Sequence, residues 1–290
     1  MQALILHSLW GFQGGLQEAI QRARHHGFDG LEANLDHPAL AGADPGAVVA
    51  ELGAAGLALI VELVTGNGYV PDLAMTAAEH LQHLASQLER CRRLEPLRIT
   101  VITGSDSWSR ADQHWFWDRA LVLAAAAPAP VTFETHRSRS LADPWRIQDW
   151  ISRYPDLRLT ADLSHWCVAC ERLMTPDLEP IQTIAERVDH IHARVGHAQG
   201  PQVSHPFAPE HTEALVAHRA CWQLFLDRAR ARGMERFTLT PEFGPDGYLP
   251  TLPFTNQPVA DLLQINTAMA AWLRRELETK TESESAAPGP

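Results

Sequence analysis

Apolar residues follow two alternating rhythms along this chain. Short runs rich in Leu, Ile, Val and Thr recur at residues 3–8, 30–34, 58–64, 97–103, 131–134, 157–162, 190–195 and 237–242. Each is bounded by Gly, Pro, Asp or Ser, the punctuation expected of β-strands. Between them the apolar positions take a helical period. Leu16, Ile20 and Ala23 mark one face of a helix over 16–26, and Leu81, Leu84 and Leu88 one over 77–94. Residues 47–55, 210–232 and 259–277 read in the same way. Gly27, Gly56 and Gly233 stand where helices stop.

Eight strand–helix units predict a single α/β domain, a closed parallel (β/α)8 TIM barrel over residues 1–277. An open doubly wound sheet would carry a glycine-rich phosphate loop after an early strand. Gly11-Phe12-Gln13-Gly14-Gly15 does not have the G-x-G-x-x-G spacing. The polar, Pro- and Gly-bearing segment 278–290 is expected to be a disordered tail.

Composition narrows the partners. The formal net charge is -11, and no basic cluster is present to neutralise phosphates, so neither nucleic acid nor an anionic surface is an expected partner. The apolar runs at 57–64 and 121–131 are too short to span a bilayer, and the N-terminus lacks an export signal. A cytoplasmic, reducing location is expected, with Cys91, Cys167, Cys170 and Cys221 as thiols. Cys167 and Cys170 form a C-x-x-C with neither a second pair nor a histidine at finger spacing, so no zinc knuckle is expected there.

Chemistry gathers at the C-terminal ends of the last four strands, which in a barrel form the active-site rim. These ends hold Glu134 and His136, Asp162 and His165, His190 and His192, and Glu242. Residues i and i+2 share one face of a strand, so Glu134 projects with His136 and His190 with His192. Three carboxylates brought together repel one another, and a divalent cation relieves that cost. Three oxygen ligands with one imidazole suit Mn²⁺, Mg²⁺ or Co²⁺, with Zn²⁺ also possible.

Glu134-Thr135-His136-Arg137, Asp162-Leu163-Ser164-His165, His190-Ile191-His192-Ala193-Arg194 and Glu242-Phe243-Gly244 resemble the motifs of the xylose isomerase-like TIM barrel superfamily of sugar isomerases and epimerases. The D-tagatose 3-epimerase type is the most similar, with inosose dehydratase and endonuclease IV more distant. The resemblance runs over the whole barrel. It implies one divalent ion held by Glu134, Asp162, His192 and Glu242. It further implies proton transfer to and from substrate carbon by Glu134 and Glu242, a substrate contact from His165, and a homo-oligomer.

Two departures stand out. Ser140 lies where epimerases carry a further glutamate. Their arginine six residues past the metal histidine is here Ala198, while Arg194 lies two past. The expected activity is a metal-dependent isomerase or epimerase on a keto-sugar or polyol. A dehydratase or lyase is the alternative, and a phosphodiesterase like endonuclease IV the third. Arg194 and His136 are expected on substrate beside His165. Trp10, Trp166 and Phe243 are expected to form the pocket wall, since aromatic faces suit the C–H faces of sugars. His25, His26, His80, His83 and His218 read as surface residues of helices, and His190 as structural.

Overall fold

A computed structural model describes residues 1–285, with side chains described through residue 276. The strands are β1 (Gln2–Ser8), β2 (Gly30–Asn34), β3 (Ala58–Val64), β4 (Arg98–Ile102), β5 (Val131–Glu134), β6 (Leu159–Ala161), β7 (Val188–His192) and β8 (Arg236–Thr240). All pair in parallel with their sequence neighbours. β8 closes on β1 through the pairs Leu4 with Thr238 and Ile5 with Leu239, completing an eight-stranded barrel.

The helices are α1 (Leu16–His25), α2 (Pro45–Ala55), α3 (Ala77–Cys91), α4 (Arg110–Ala125), α5 (Ile147–Arg153), α6 (Leu163–Ala169), α7 (Glu179–Ile184), α8 (Thr212–Ala231) and α9 (Leu262–Ser285). The tail expected over 278–290 falls on residues whose side chains, and from 286 onward whose backbone, lie outside the description. No helix among the described residues is long and apolar enough to cross a membrane.

Strand alternation divides the barrel into two environments. Outward residues such as Leu31, Val61, Val101, Phe133, Leu159, Ile191 and Leu239 join one continuous apolar core beneath the helices. The inward apolar residues are few, a small cluster of Leu4, Leu6 and Ile60. Above it the barrel interior is polar. Thr160 Oγ1 lies 2.7 Å from both Thr100 Oγ1 and Thr132 Oγ1. Buried hydroxyls without partners would be costly, and here they satisfy one another. A strand that is apolar outside and polar inside at its last turn is therefore built to present chemistry into the barrel mouth.

Several boundaries differ from the sequence expectation in a way that matters for the site. β7 ends at His192 rather than at 195, and β8 ends at Thr240, so Glu242 stands in the loop. Two side chains clamp that loop. Asn266 takes Phe243 N–H (2.9 Å) and donates to Phe243 C=O (2.9 Å). Gln202 does the same for Gly244, at 2.9 and 3.2 Å. The segment after β7 thus helps to fix the position of Glu242.

Two helical histidines expected at the surface are buried. His80 accepts or donates with Thr65 Oγ1 at 2.8 Å, and His218 meets Ala214 C=O at 2.9 Å and Gly196 N–H at 3.3 Å. Both lie on the apolar faces of their helices, beside Leu84 and Leu88 in α3 and beside Cys221, Trp222 and Phe225 in α8.

Candidate metal centre

Glu134 ends β5, Asp162 follows β6, His192 ends β7, and Glu242 lies just past β8. All four are buried. Their donor atoms meet around His192 Nδ1, which lies 3.1 Å from Glu242 Oε2, 3.5 Å from Glu134 Oε2 and 4.0 Å from Asp162 Oδ2. Glu134 Oε2 and His192 Nδ1 are buried without a hydrogen-bond partner. A native interior rarely leaves polar atoms orphaned, and such atoms point to an absent ligand. Glu134, Asp162 and His192 form a grouping close enough to share one ion. Glu242 joins them through His192. Three carboxylate oxygens and an imidazole nitrogen facing one point fit a divalent cation.

Electrostatics agree. Burial first, and then the neighbouring Glu242 and Asp162, push the Glu134 carboxyl up to about 8 against the opposing pull of His192. Asp162 is raised chiefly by burial, with Arg194 opposing. Crowded carboxylates that resist ionisation are the cost a bound cation would remove. Asp162 also caps α6, and its two roles use different oxygens. Its Oδ1 accepts from Ser164 N–H (3.0 Å) and Ser164 Oγ (2.5 Å), while Oδ2 faces the cluster.

Glu32 lies at the inward face of β2, outside the set of residues expected from the sequence. Its carboxylate spans the barrel, with Oε1 3.1 Å from His192 Nε2 and Oε2 3.1 Å from His190 Nε2. Thr240 Oγ1 donates to Oε2. His190 is anchored in turn by Thr238 Oγ1 at 2.8 Å. Burial raises the Glu32 carboxyl, but His190 and His192 outweigh it and hold the group well below the ordinary range. With Glu32 at Nε2, Nδ1 is the nitrogen of His192 that would face an ion.

The His165 and His136 rings meet at a tilt of 44°, with centroids 3.8 Å apart. His165 Nε2 lies 3.6 Å from Glu134 Oε1 and 3.7 Å from Asp162 Oδ2. It accepts from Arg194 Nη2 at 2.9 Å, so its proton sits on Nδ1, which is buried and unpartnered. Burial holds both rings neutral, His136 down to about 3 and His165 well below its usual value. His136 Nδ1 donates to Arg137 C=O at 2.6 Å.

Arg194, expected on substrate, is buried at 2% exposure. Its guanidinium is taken up by Ser164, Asp162, His165 and Glu242.

A cavity of 520 Å³ opens beside this cluster, lined by Trp10, Glu32, Asn34, His37, Glu62, Tyr69 and Glu242 among others. Trp10 forms part of its wall. The indole donates to Asp246 Oδ2 (2.8 Å) and meets Tyr248 edge-on, with centroids 4.8 Å apart. Gly244 makes this approach possible, because a Cβ there would lie 2.0 Å from the Trp10 ring.

Trp166 and Phe243, expected beside it, belong instead to the apolar core. Trp166 faces inward from α6 and donates to Leu141 C=O at 2.9 Å. Phe243 alternates away from Glu242 into the packing under the helices. Glu62, left without a role by the sequence, lines the cavity. Its Oε1 accepts from Tyr69 Oη (2.6 Å) and Asn34 Nδ2 (2.9 Å). Burial, reinforced by Glu242, pushes its carboxyl up to about 7. Ser140 is bound to Gln113 Oε1 at 2.7 Å. Cys167 and Cys170 are free, and burial pushes the Cys167 thiol up to about 12, which makes it a poor nucleophile.

No protein-family model matches the sequence, and no curated protein sequence does. Solved structures do match its fold. An L-ribulose 3-epimerase superposes with a TM-score of 0.68 over 100% of both chains at 17% identity. A zinc-bound IolI protein gives 0.62 at 10% identity, over 93% of this chain and 97% of its own. A probable 3-DHS dehydratase of petrobactin synthesis from Bacillus anthracis gives 0.61 at 13% identity, over 94% and 99%. The chain has the barrel fold that these enzymes share.

Proposed function

We propose that this chain is a divalent-metal-dependent isomerase or epimerase of a keto-sugar or related polyol. The observation that carries this reading is the meeting of Glu134, Asp162, His192 and Glu242 around one point, with Glu134 Oε2 and His192 Nδ1 unpartnered. These four would hold the ion. When bound, it would supply positive charge against which an enediolate can form.

The chain's own residues supply the rest. Glu242 borders the cavity, and the buried Glu134 meets the same His192 Nδ1. A carboxylate beside a carbon acid can take a proton, and a second one can return it from the other side. The Nδ1–H of His165 is a buried, unspent donor, suited to a substrate oxygen. Trp10 and Tyr248 pack over the Arg194 guanidinium, with centroids 5.4 and 4.8 Å away.

The second reading is β-elimination. Glu62 favours it. A cavity-lining carboxyl held near neutrality can protonate a departing oxygen, and epimerisation has no need of a third acid. The nucleic-acid reading is the weakest, because the cavity lining contains neither Lys nor Arg.

Incubation of the metal-loaded protein with a panel of keto-sugars in deuterium oxide tests the proposal. Mass spectrometry should find deuterium in recovered sugar of unchanged composition, and chelator should suppress it. Loss of water from the product would instead favour elimination. A panel with neither change would reject both.

A further inference from the structure

Arg194 stands in an unusual place, with a buried guanidinium packed against the atoms that would hold the ion. Nε donates to Ser164 Oγ at 3.1 Å. Nη2 donates to Asp162 Oδ2 and to His165 Nε2, the latter at 2.9 Å. Nη1 lies 3.2 Å from Glu242 Oε2 and donates to Glu242 C=O at 3.3 Å. A guanidinium has five N–H donors, and five acceptors surround this one. Tyr248 and Trp10 lie over it, with centroids 4.8 and 5.4 Å away. Arg194 is therefore spent within the protein, and two of its acceptors are oxygens of the proposed ligand set.

We propose that Arg194 is a resident counter-cation of the metal centre. It holds Asp162 and Glu242 together before an ion arrives, and it weakens the binding of that ion. Arginine keeps its charge under all ordinary conditions. It links the side chains that follow β6 and β8 across β7, so the ligand oxygens converge without metal. The same charge opposes a second cation only a few ångströms away and shares the lone pairs that cation needs. The ion is then held exchangeably in a cage that survives its loss.

This inference rests on the metal reading above, and the two can fail separately. The test uses full-length protein stripped with chelator. Calorimetric titration with Mn²⁺ is run on wild type, R194Q, R194M and R194K, with the melting temperature of each metal-free form. R194Q and R194M remove the charge and should bind Mn²⁺ at least about tenfold more tightly, while melting earlier without metal. R194K keeps the charge and should bind nearly as the wild type does.

A purely structural arginine predicts the opposite sign, with weaker binding as the ligands drift. Weaker or unchanged binding in a folded R194Q, beside a wild type that binds, would overturn the proposal alone. If R194M fails to fold, R194Q decides, because its amide still donates to Ser164 or Asp162. Absence of Mn²⁺ binding in every form would overturn this proposal and the metal reading together.

Discussion

Replacement of Glu242 by Gln is expected to reduce solvent deuterium uptake into a responsive keto-sugar by about 10²–10⁴-fold, the span that one positioned acid–base group contributes. The amide keeps a carbonyl oxygen toward His192 Nδ1, 3.1 Å from the present carboxylate, but cannot accept a proton. Saturating metal in the assay separates lost proton transfer from lost affinity. The measurement is the initial rate of deuterium incorporation by mass spectrometry. Glu134→Gln should be as damaging. In an epimerase the two variants should differ according to which epimer is supplied, because each glutamate serves one face of the sugar. Undiminished exchange in Glu242→Gln would remove this residue from the proton path and leave Glu32 and Glu62 as the other glutamates of the cavity.

The second large effect is expected from Glu32, a residue outside the ligand set. Glu32→Gln should weaken divalent-ion affinity by about 10–100-fold, as loss of a group orienting a metal-bound histidine typically does. Glu32 holds the Nε2 edges of both His190 and His192. An amide cannot accept from both, because one of its two atoms is a donor. His192 then loses the contact that keeps its lone pair on Nδ1, and the cluster loses the negative charge balancing its imidazoles. Isothermal titration with Mn²⁺ reads the effect. Wild-type affinity in a folded Glu32→Gln would show that the ligand geometry does not depend on this contact.

These residues differ in how visible they were from sequence. The eight strands and the closed barrel followed from period and punctuation alone, since parallel strands are apolar on their outward faces whatever they present inward. Glu134, His192 and Asp162 stood out because each breaks an apolar strand at its final inward position or just after it. Glu32 breaks β2 one inward step before its end. Its partners lie 158 and 160 positions away, however, and no local spacing reports a contact made across a barrel.

Arg194 shares the parity of His190 and His192, so its direction into the site was readable. That it would be consumed there by carboxylates was not, because that depends on five acceptors from two segments other than its own. Trp166 and Phe243 were misread for a simpler reason. A residue one step past a functional side chain alternates away from it, and both sit at such steps or on the inner face of the following helix. His80 and His218 carried a usable signal in their helical spacing to buried apolar neighbours, which marks the core side of α3 and α8.

The account depends most on one ion shared by Glu134, Asp162, His192 and Glu242, and elemental analysis of the purified protein tests that directly. The expected result is one divalent ion per chain after dialysis against Mn²⁺, removed by chelator and lost again in Asp162→Asn and His192→Ala variants that remain folded. Metal at well below one equivalent in wild type, or full loading in both variants, would contradict it.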